Sequence, residues 1–524
     1  MNTEKETKKT EGPVRRLSPI RVVLALLVIA GLSYFAFLSF RQWQDNRFIG
    51  NSNPWFAPYV DVTATPYYDF EKLGTTPAKN VVLSFIVSSA EDACIPSWGK
   101  AYSLDKANTQ LDLDRRIARL RQLGGDIAVS FGGLLNDELA TNCTDSQKLS
   151  AAYKSVIEKY SVYTLDFDLE GNGLSEDAAA RRAKVLADLQ QELRDQGKNL
   201  AIWLTLPVIP SGLTESGTNA VAAMLANGVD LAGVNIMTMN YGQSRVTGQT
   251  MEQASERALI ETQRQLGILY KNAGINLSDS TLWKKIGATP MIGQNDVLTD
   301  IFTLEDAKAL NKFVASKGII RVSMWSANRD IQCGENYANL TMVSDSCSGI
   351  KQDSLAFIYA LSSEMDGTIM QNIVTTQEDG QENANDIDDP ASSPYQIWSE
   401  LNVYLEGTKV VWHKNVYQAK WWTQGDLPDN PVLQSWQTPW QLIGPVLPGE
   451  KPVAQLTLPE GTYPTWSGTT QYDSGNRVMF NGVPYVAKWW TQGDSPAAAT
   501  ADPTSSPWLA LTQAQIEEIL RENK

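Results

Sequence analysis

Between residues 55 and 326 short apolar runs alternate with longer stretches of helical periodicity, and this alternation constrains the fold more than any other feature of the chain. The runs are Phe56–Val62, Val81–Val87, Ile127–Phe131, Tyr163–Glu170, Leu200–Leu206, Val234–Met239, Ile286–Met291 and Ile320–Trp325. Each is short and close to continuously apolar, the pattern of a strand buried on both faces. Helical patterns lie between most of them, for example Ser175–Gln196 and Met251–Asn272. Strand-then-helix units repeated eight times predict an α/β domain of the (β/α)8 barrel type, spanning residues 53–365, with functional groups where the strands end.

The fourth run carries the most unusual chemistry. Residues Leu165 to Gly171 read Leu-Asp-Phe-Asp-Leu-Glu-Gly. Strand side chains alternate faces, so Asp166, Asp168 and Glu170 point one way and Leu165, Phe167 and Leu169 the other. Three acids on one face cannot all stay ionised at close range, so at least one pKa must rise, which is what a general acid near neutral pH requires. A solvated edge strand fits the apolar partners poorly. A calcium-binding turn fits the strand alternation poorly.

Composition removes the rivals. The chain has 524 residues, a net charge of −15 and a pI near 4.8, a balance unsuited to nucleic acid or anionic lipid surfaces. Its one histidine, His413, lies far from the acids, so Ser-His-Asp, Cys-His and multi-His metal chemistry are not open to it. The chemistry must run on carboxylates, tyrosines and amides, with no metal or cofactor.

Residues 22–40 form an apolar stretch of 19 residues with no charge, between Arg21 and Arg41. That is long enough to span a bilayer. The basic residues of segment 1–21 leave that tail in the cytoplasm, and everything beyond about residue 41 outside. The expectation is a single-pass signal anchor in the cell membrane, with a secreted form if the segment is cleaved. Four cysteines suit that location. They allow three pairings, and proximity in sequence favours Cys333–Cys347 and Cys94–Cys143.

Residues 375–393 contain six acids and no Lys or Arg, and read as an acidic linker with disorder as its default. Beyond it, ten of the sixteen tryptophans fall in the last 130 residues. Ala419–Asp426 and Ala487–Asp494 both read Ala-Lys-Trp-Trp-Thr-Gln-Gly-Asp, an offset of 68 that also aligns Tyr417 with Tyr485 and Pro439-Trp440 with Pro507-Trp508. Two small all-β modules are expected, at 395–445 and 463–510. If the Trp pairs lie in strands, one of Trp421/Trp422 and one of Trp489/Trp490 is core, and the other offers a flat apolar face for a sugar ring.

The trio Asp166-x-Asp168-x-Glu170 at the end of the fourth strand resembles the signature of family 18 glycoside hydrolases, the chitinases and their relatives. Ser130-Phe131-Gly132-Gly133, Met237-Thr238-Met239-Asn240-Tyr241-Gly242, Thr289-Pro290-Met291-Ile292-Gly293 and Ser323-Met324-Trp325-Ser326 resemble further elements of that family in the expected order. The C-terminal repeats resemble small chitin-binding modules. The resemblance implies a chitinase acting on β-1,4-linked N-acetylglucosamine by substrate-assisted, retaining catalysis. Glu170 would protonate the leaving oxygen, Asp168 would hold the substrate acetamido N–H, and Asp166 would share a proton with Asp168. Tyr241 would donate to the acetamido oxygen and Trp325 would floor the sugar, with Met237 and Met239 as walls. By the same resemblance Ser130, Gly132 and Asn240 would line the same site, and Trp421, Trp422, Trp489, Trp490, Tyr417 and Tyr485 would bind polysaccharide on the modules.

Two positions depart from the family pattern. Tyr163 stands where an Asp is usual, removing a carboxylate from the network behind Asp166, and Asn240 stands where an Asp often precedes Tyr241. The short stretch between Gly293 and the helix near Thr303 implies a shallow groove and internal cuts by a monomer. The other readings are a catalytically impaired surface lectin and an endo-β-N-acetylglucosaminidase on N-glycans.

Overall fold

The computed structural model describes residues 53–522 apart from 336, 338–342, 381–387, 389–392, 401, 448, 451–457, 460, 481, 497–505 and 512. The expected tail 1–21 and anchor 22–40 lie outside the described residues. Among the described residues no helix is long and apolar enough to cross a membrane.

The eight apolar runs form eight parallel strands. The first, β1, is broken into Trp55–Phe56 and Tyr59–Asp61 around Pro58. It is followed by β2 (Val81–Ser88), β3 (Ile127–Gly132), β4 (Thr164–Asp168), β5 (Ala201–Ile209), β6 (Leu231–Met237), β7 (Ile286–Thr289) and β8 (Arg321–Val322). Each pairs in parallel with the next. The two halves of β1 complete the ring, Trp55 aligning with Arg321 and Tyr59 with Val82. The sheet is therefore closed, and helices such as Glu176–Asp195 and Met251–Asn272 cover its outside.

Two apolar layers explain the near-continuous runs. Leu83, Val129, Leu165, Phe167, Leu204 and Ile236 face the helices, and Trp55, Val82, Ala128, Trp203 and Ile320 face inward. Phe167 stacks on Phe131 at 5.1 Å and is fully buried, worth roughly 2 kcal/mol of transfer free energy.

Loops at the strand ends are pinned covalently. Cys94 is bonded to Cys143, joining the loops after β2 and β3, and Cys333 to Cys347 after β8, the pairing that proximity favoured. After β7 comes only a small antiparallel pair, Gly293–Gln294 with Ile301–Phe302, and then the helix Leu304–Lys317.

The acidic linker is not free over its first part. Asp379 accepts from the Ser278 backbone N–H (2.8 Å) and hydroxyl (2.7 Å), the Gly380 N–H donates to the Asn276 carbonyl, and Thr376 bonds Asp230. Composition alone suggested disorder there. Short polar groups instead find partners on the loops that precede β6 and β7, at Asp230, Asn276 and Ser278.

The repeat is structural as well as sequential. Lys409–Trp412, Asn415–Ala419 and Trp440–Pro445 form one antiparallel sheet, and Arg477–Phe480, Val483–Ala487 and Trp508–Ala510 form its counterpart, with starting residues shifted by 68.

Candidate active site

Asp166 lies at the centre of the closed sheet, fully buried. Its Oδ1 accepts from Thr205 Oγ1 (2.7 Å) and Arg321 (2.6 Å), and its Oδ2 from the Tyr59 hydroxyl (2.8 Å) and Ser130 Oγ (2.7 Å). The network spreads further. Asn235 Nδ2 donates to Thr205 Oγ1 (2.9 Å), Thr289 donates to Asn235 Oδ1 (2.9 Å), and Arg321 reaches Tyr59 (3.1 Å) and Ser323 (3.1 Å). Strands β1, β3, β5 and β8 thus each place a donor against one carboxylate on β4, and Asn235 on β6 and Thr289 on β7 brace those donors. Burying a charge is tolerable only with such a set of partners.

Asp166 and Asp168 make no hydrogen bond to each other. Both oxygens of Asp166 are already filled by donors from other strands, and Arg321 supplies the countercharge. Asp168, two residues nearer the strand end, has its Oδ1 buried with no hydrogen-bond partner. Burial pushes its carboxyl well above the usual range, the Glu170 and Asp166 charges push the same way, and Arg321 pulls it down.

Glu170 follows β4 in extended backbone (φ −131°, ψ 159°), which keeps it on the face of Asp166 and Asp168. Burial raises its pKa, and the Asp296 carboxylate adds to the push. The turn after it is held from below. Arg182 donates to the Gly173 carbonyl (3.0 Å) and pairs with Glu138 (2.7 Å), both side chains being buried. Gly132 lets β3 pass close to the trio. Its φ is +103°, and a Cβ there would lie 2.1 Å from the Asp168 carbonyl oxygen. Gly132→Ala is therefore expected to cost about 2–4 kcal/mol and to displace Asp168. A denaturant-unfolding midpoint that did not move would count against it.

The upper wall is aromatic and apolar. Trp325 is half-buried and stacks on Phe85 at 5.5 Å and 22°, above Tyr59 at 6.1 Å. Met237 is buried at the end of β6, with Met239 half-buried beyond it. A pocket of about 170 Å³ lies beside Asp168 and Glu170, lined also by Gly132, Gly133, Glu138 and Asn172. Leu134, also in its lining, is 74% exposed, and the next residue, Leu135, is 90% exposed.

Three expected site residues are placed elsewhere. Tyr241 is buried in the layer between sheet and helices, and its hydroxyl donates to Ser255 Oγ at 3.2 Å on the helix Met251–Asn272, away from the acids. It follows the left-handed residue Asn240 (φ +55°), so the chain turns and strand parity no longer predicts its side. Tyr417 and Tyr485 are 7% and 1% exposed and belong to the module cores, so neither presents a ring to a ligand. The Trp pairs also depart from expectation, because they occupy bends rather than strands. Trp421 is exposed and Trp422 half-buried, but Trp489 and Trp490 are both exposed.

The two departures acquire a structural setting. Tyr163 is half-buried outside the network, under the Lys198 ammonium at 5.5 Å, and Arg321 occupies the interior behind Asp166. Asn240 Nδ2 donates to Asp296 (2.9 Å) and its Oδ1 accepts from the Val297 N–H (3.1 Å), so the end of β6 clasps the loop after β7.

Sequence reasoning missed Tyr59, Thr205, Asn235, Thr289 and Arg321. Each is a polar residue in an otherwise apolar strand run, and that interruption was the available signal.

The whole defines a carboxylate site without histidine, seated at the strand ends of a closed parallel sheet. Several proteins similar to the chain are named as chitinases. Over 289 residues the chain is 34% identical to a probable bifunctional chitinase/lysozyme of Escherichia coli strain K12, the match covering 54% of this chain and 31% of that protein. Over 285 residues it is 34% identical to Endochitinase 11 of Metarhizium anisopliae, covering 53% and 52% respectively. The chain therefore spans about a third and about a half of the length of these curated relatives. The catalytic domain of a hyperthermophilic chitinase from Pyrococcus furiosus superposes with a TM-score of 0.51 at 29% identity, covering 60% of this chain and 97% of that one. Residues 465–509 match the model for carbohydrate-binding module family 5/12.

Proposed function

We propose that the protein is a family 18 chitinase that hydrolyses β-1,4-linked N-acetylglucosamine polymers, with the closed sheet as its (β/α)8 catalytic barrel. The observation that carries this reading is the division within the trio. Asp166 is locked into a buried network, Asp168 keeps an unpartnered carboxyl oxygen, and Glu170 opens to the pocket with a raised pKa. A carboxyl of that kind stays protonated far enough up the pH scale to donate to a leaving glycosidic oxygen.

Asp168 lies on the same face of β4 as Glu170, so the nucleophile is assigned to the substrate, as the resemblance to family 18 implies. The acetamido carbonyl of the sugar before the cut closes on the anomeric carbon as the bond to the leaving oxygen breaks. The Glu170 proton goes to that oxygen. Asp168 takes the acetamido N–H and offsets the positive charge that develops. Water then opens the cyclic intermediate, Glu170 recovering a proton from it, so two inversions give retention. Trp325 on Phe85 gives the sugar an apolar floor.

The short hairpin after β7 leaves the groove without a deep wall, which supports internal cuts. A location outside the cell suits a polysaccharide-degrading enzyme with two disulfides. Segment 22–40 would serve as anchor or export signal. Colloidal chitin is the test: release of soluble N-acetylglucosamine oligomers supports the reading, and none at micromolar enzyme rejects it.

The pH dependence is set partly by Asp296. Glu170 is active only while protonated, so its raised pKa extends activity upward in pH. Removing the Asp296 charge lowers that pKa. Asp296→Asn is therefore expected to move the alkaline limb of the kcat/KM profile to lower pH. An unmoved limb, or one moved upward, would contradict this.

A further inference from the structure

The two modules share a sequence, yet the fold uses them differently. Module one is fastened to the barrel. Arg264 donates to the Val432 (2.7 Å) and Leu433 (3.1 Å) carbonyls, Gln265 donates to Leu433 (3.0 Å), and the Leu433 side chain packs against the barrel core. On its other side, Val403, Leu405 and Trp422 of module one join the apolar cluster built on Tyr472, Val478 and Tyr485 of module two. Leu405 is 6% exposed in that joint. The Trp422 indole nitrogen is buried, and the indole lies beside the Tyr485 hydroxyl. Its counterpart at the same place in the repeat, Trp490, is 56% exposed, next to Trp489 at 45%.

We infer that the repeat has divided its labour: module two alone presents its consecutive tryptophan pair to polysaccharide, while module one has converted the equivalent second tryptophan into the joint that fixes that face relative to the catalytic barrel. This rests on the chitin reading above for its ligand, though not for the joint. A flat crystalline surface of N-acetylglucosamine chains matches two adjacent exposed indoles. Module one exposes Trp421 at 44% and Trp436 at 56%, which are separated along the chain rather than consecutive. Two equivalent sites on a loose tether would multiply affinity. A single face on a rigid mount instead aims the barrel at the surface that the face has gripped.

The test uses the full chain with Trp421→Ala, Trp422→Ala, Trp489→Ala and Trp490→Ala, each measured for depletion onto insoluble chitin and for thermal unfolding. Trp489→Ala and Trp490→Ala are expected to weaken chitin binding about tenfold or more with unfolding unchanged. Trp422→Ala should leave binding within about twofold and lower the unfolding temperature of the modules by a few degrees. Trp421→Ala should cost about two- to threefold. The inference is overturned if Trp422→Ala weakens binding as much as Trp490→Ala without changing unfolding. If the wild-type chain does not bind chitin, the ligand reading fails separately. Unfolding still decides the joint, since equal stability of the Trp422 and Trp490 variants would overturn it and a loss confined to Trp422→Ala would support it.

Discussion

Glu170→Gln is expected to reduce kcat on a chromogenic chitobioside by about a hundred- to ten-thousandfold, the range a positioned general acid supplies. The amide matches the carboxyl in size and keeps its hydrogen-bonding capacity, but it has no proton to give. Glu170 makes no side-chain ion pair, and the turn beyond it is held by Arg182 and Glu138. The variant should therefore fold with wild-type stability, and its retention on chitin should not change, because the exposed tryptophans are distant in the chain. A kcat within threefold of wild type would remove Glu170 from the role of acid. A fall in activity with an equal fall in the unfolding midpoint would point to damage rather than chemistry.

The second large effect is on stability. Arg321 and Asp166 are both fully buried and joined at 2.6 Å. Burial works against the arginine's charge, but Asp166 and Tyr59 outweigh it and its pKa is raised. Arg321→Met strands the Asp166 charge inside the barrel and should cost about 3–5 kcal/mol. It also removes donors from Tyr59 and Ser323. The double variant Asp166→Asn with Arg321→Met has no stranded charge and should recover a large part of that loss. Urea unfolding measures both. If the double variant were less stable than Arg321→Met by the full cost of a second deletion, the pair would not be acting as a pair.

The fold was legible because its signal was repetitive. Eight apolar runs of strand length could close only one way once helices were placed between them, and the observed strands fall within or beside those runs. The trio was legible for a local reason, since period-two spacing puts Asp166, Asp168 and Glu170 on one face whatever the tertiary context. What surrounds the trio was not legible. Arg321 is 155 residues from Asp166 in sequence and Tyr59 is 107. Only closure of the sheet brings them together, although each marks itself as a polar residue in an apolar run. Tyr241 was misjudged because strand parity was carried past the end of β6 through a left-handed residue. The Trp pairs were misjudged likewise, because alternation was applied to a bend. The inequality of Trp422 and Trp490 depends on a contact between modules, which no repeat alignment contains.

In the proposed reaction the substrate's own acetamido group does the attacking, with Glu170 and Asp168 arranged around it. Digestion of a partially deacetylated chitosan, followed by identification of the sugar at each newly formed reducing end, tests this most directly. N-acetylglucosamine is expected at every new reducing end, because a sugar lacking the acetyl group has no nucleophile to offer. Glucosamine at those ends in proportion to its abundance in the polymer would contradict it.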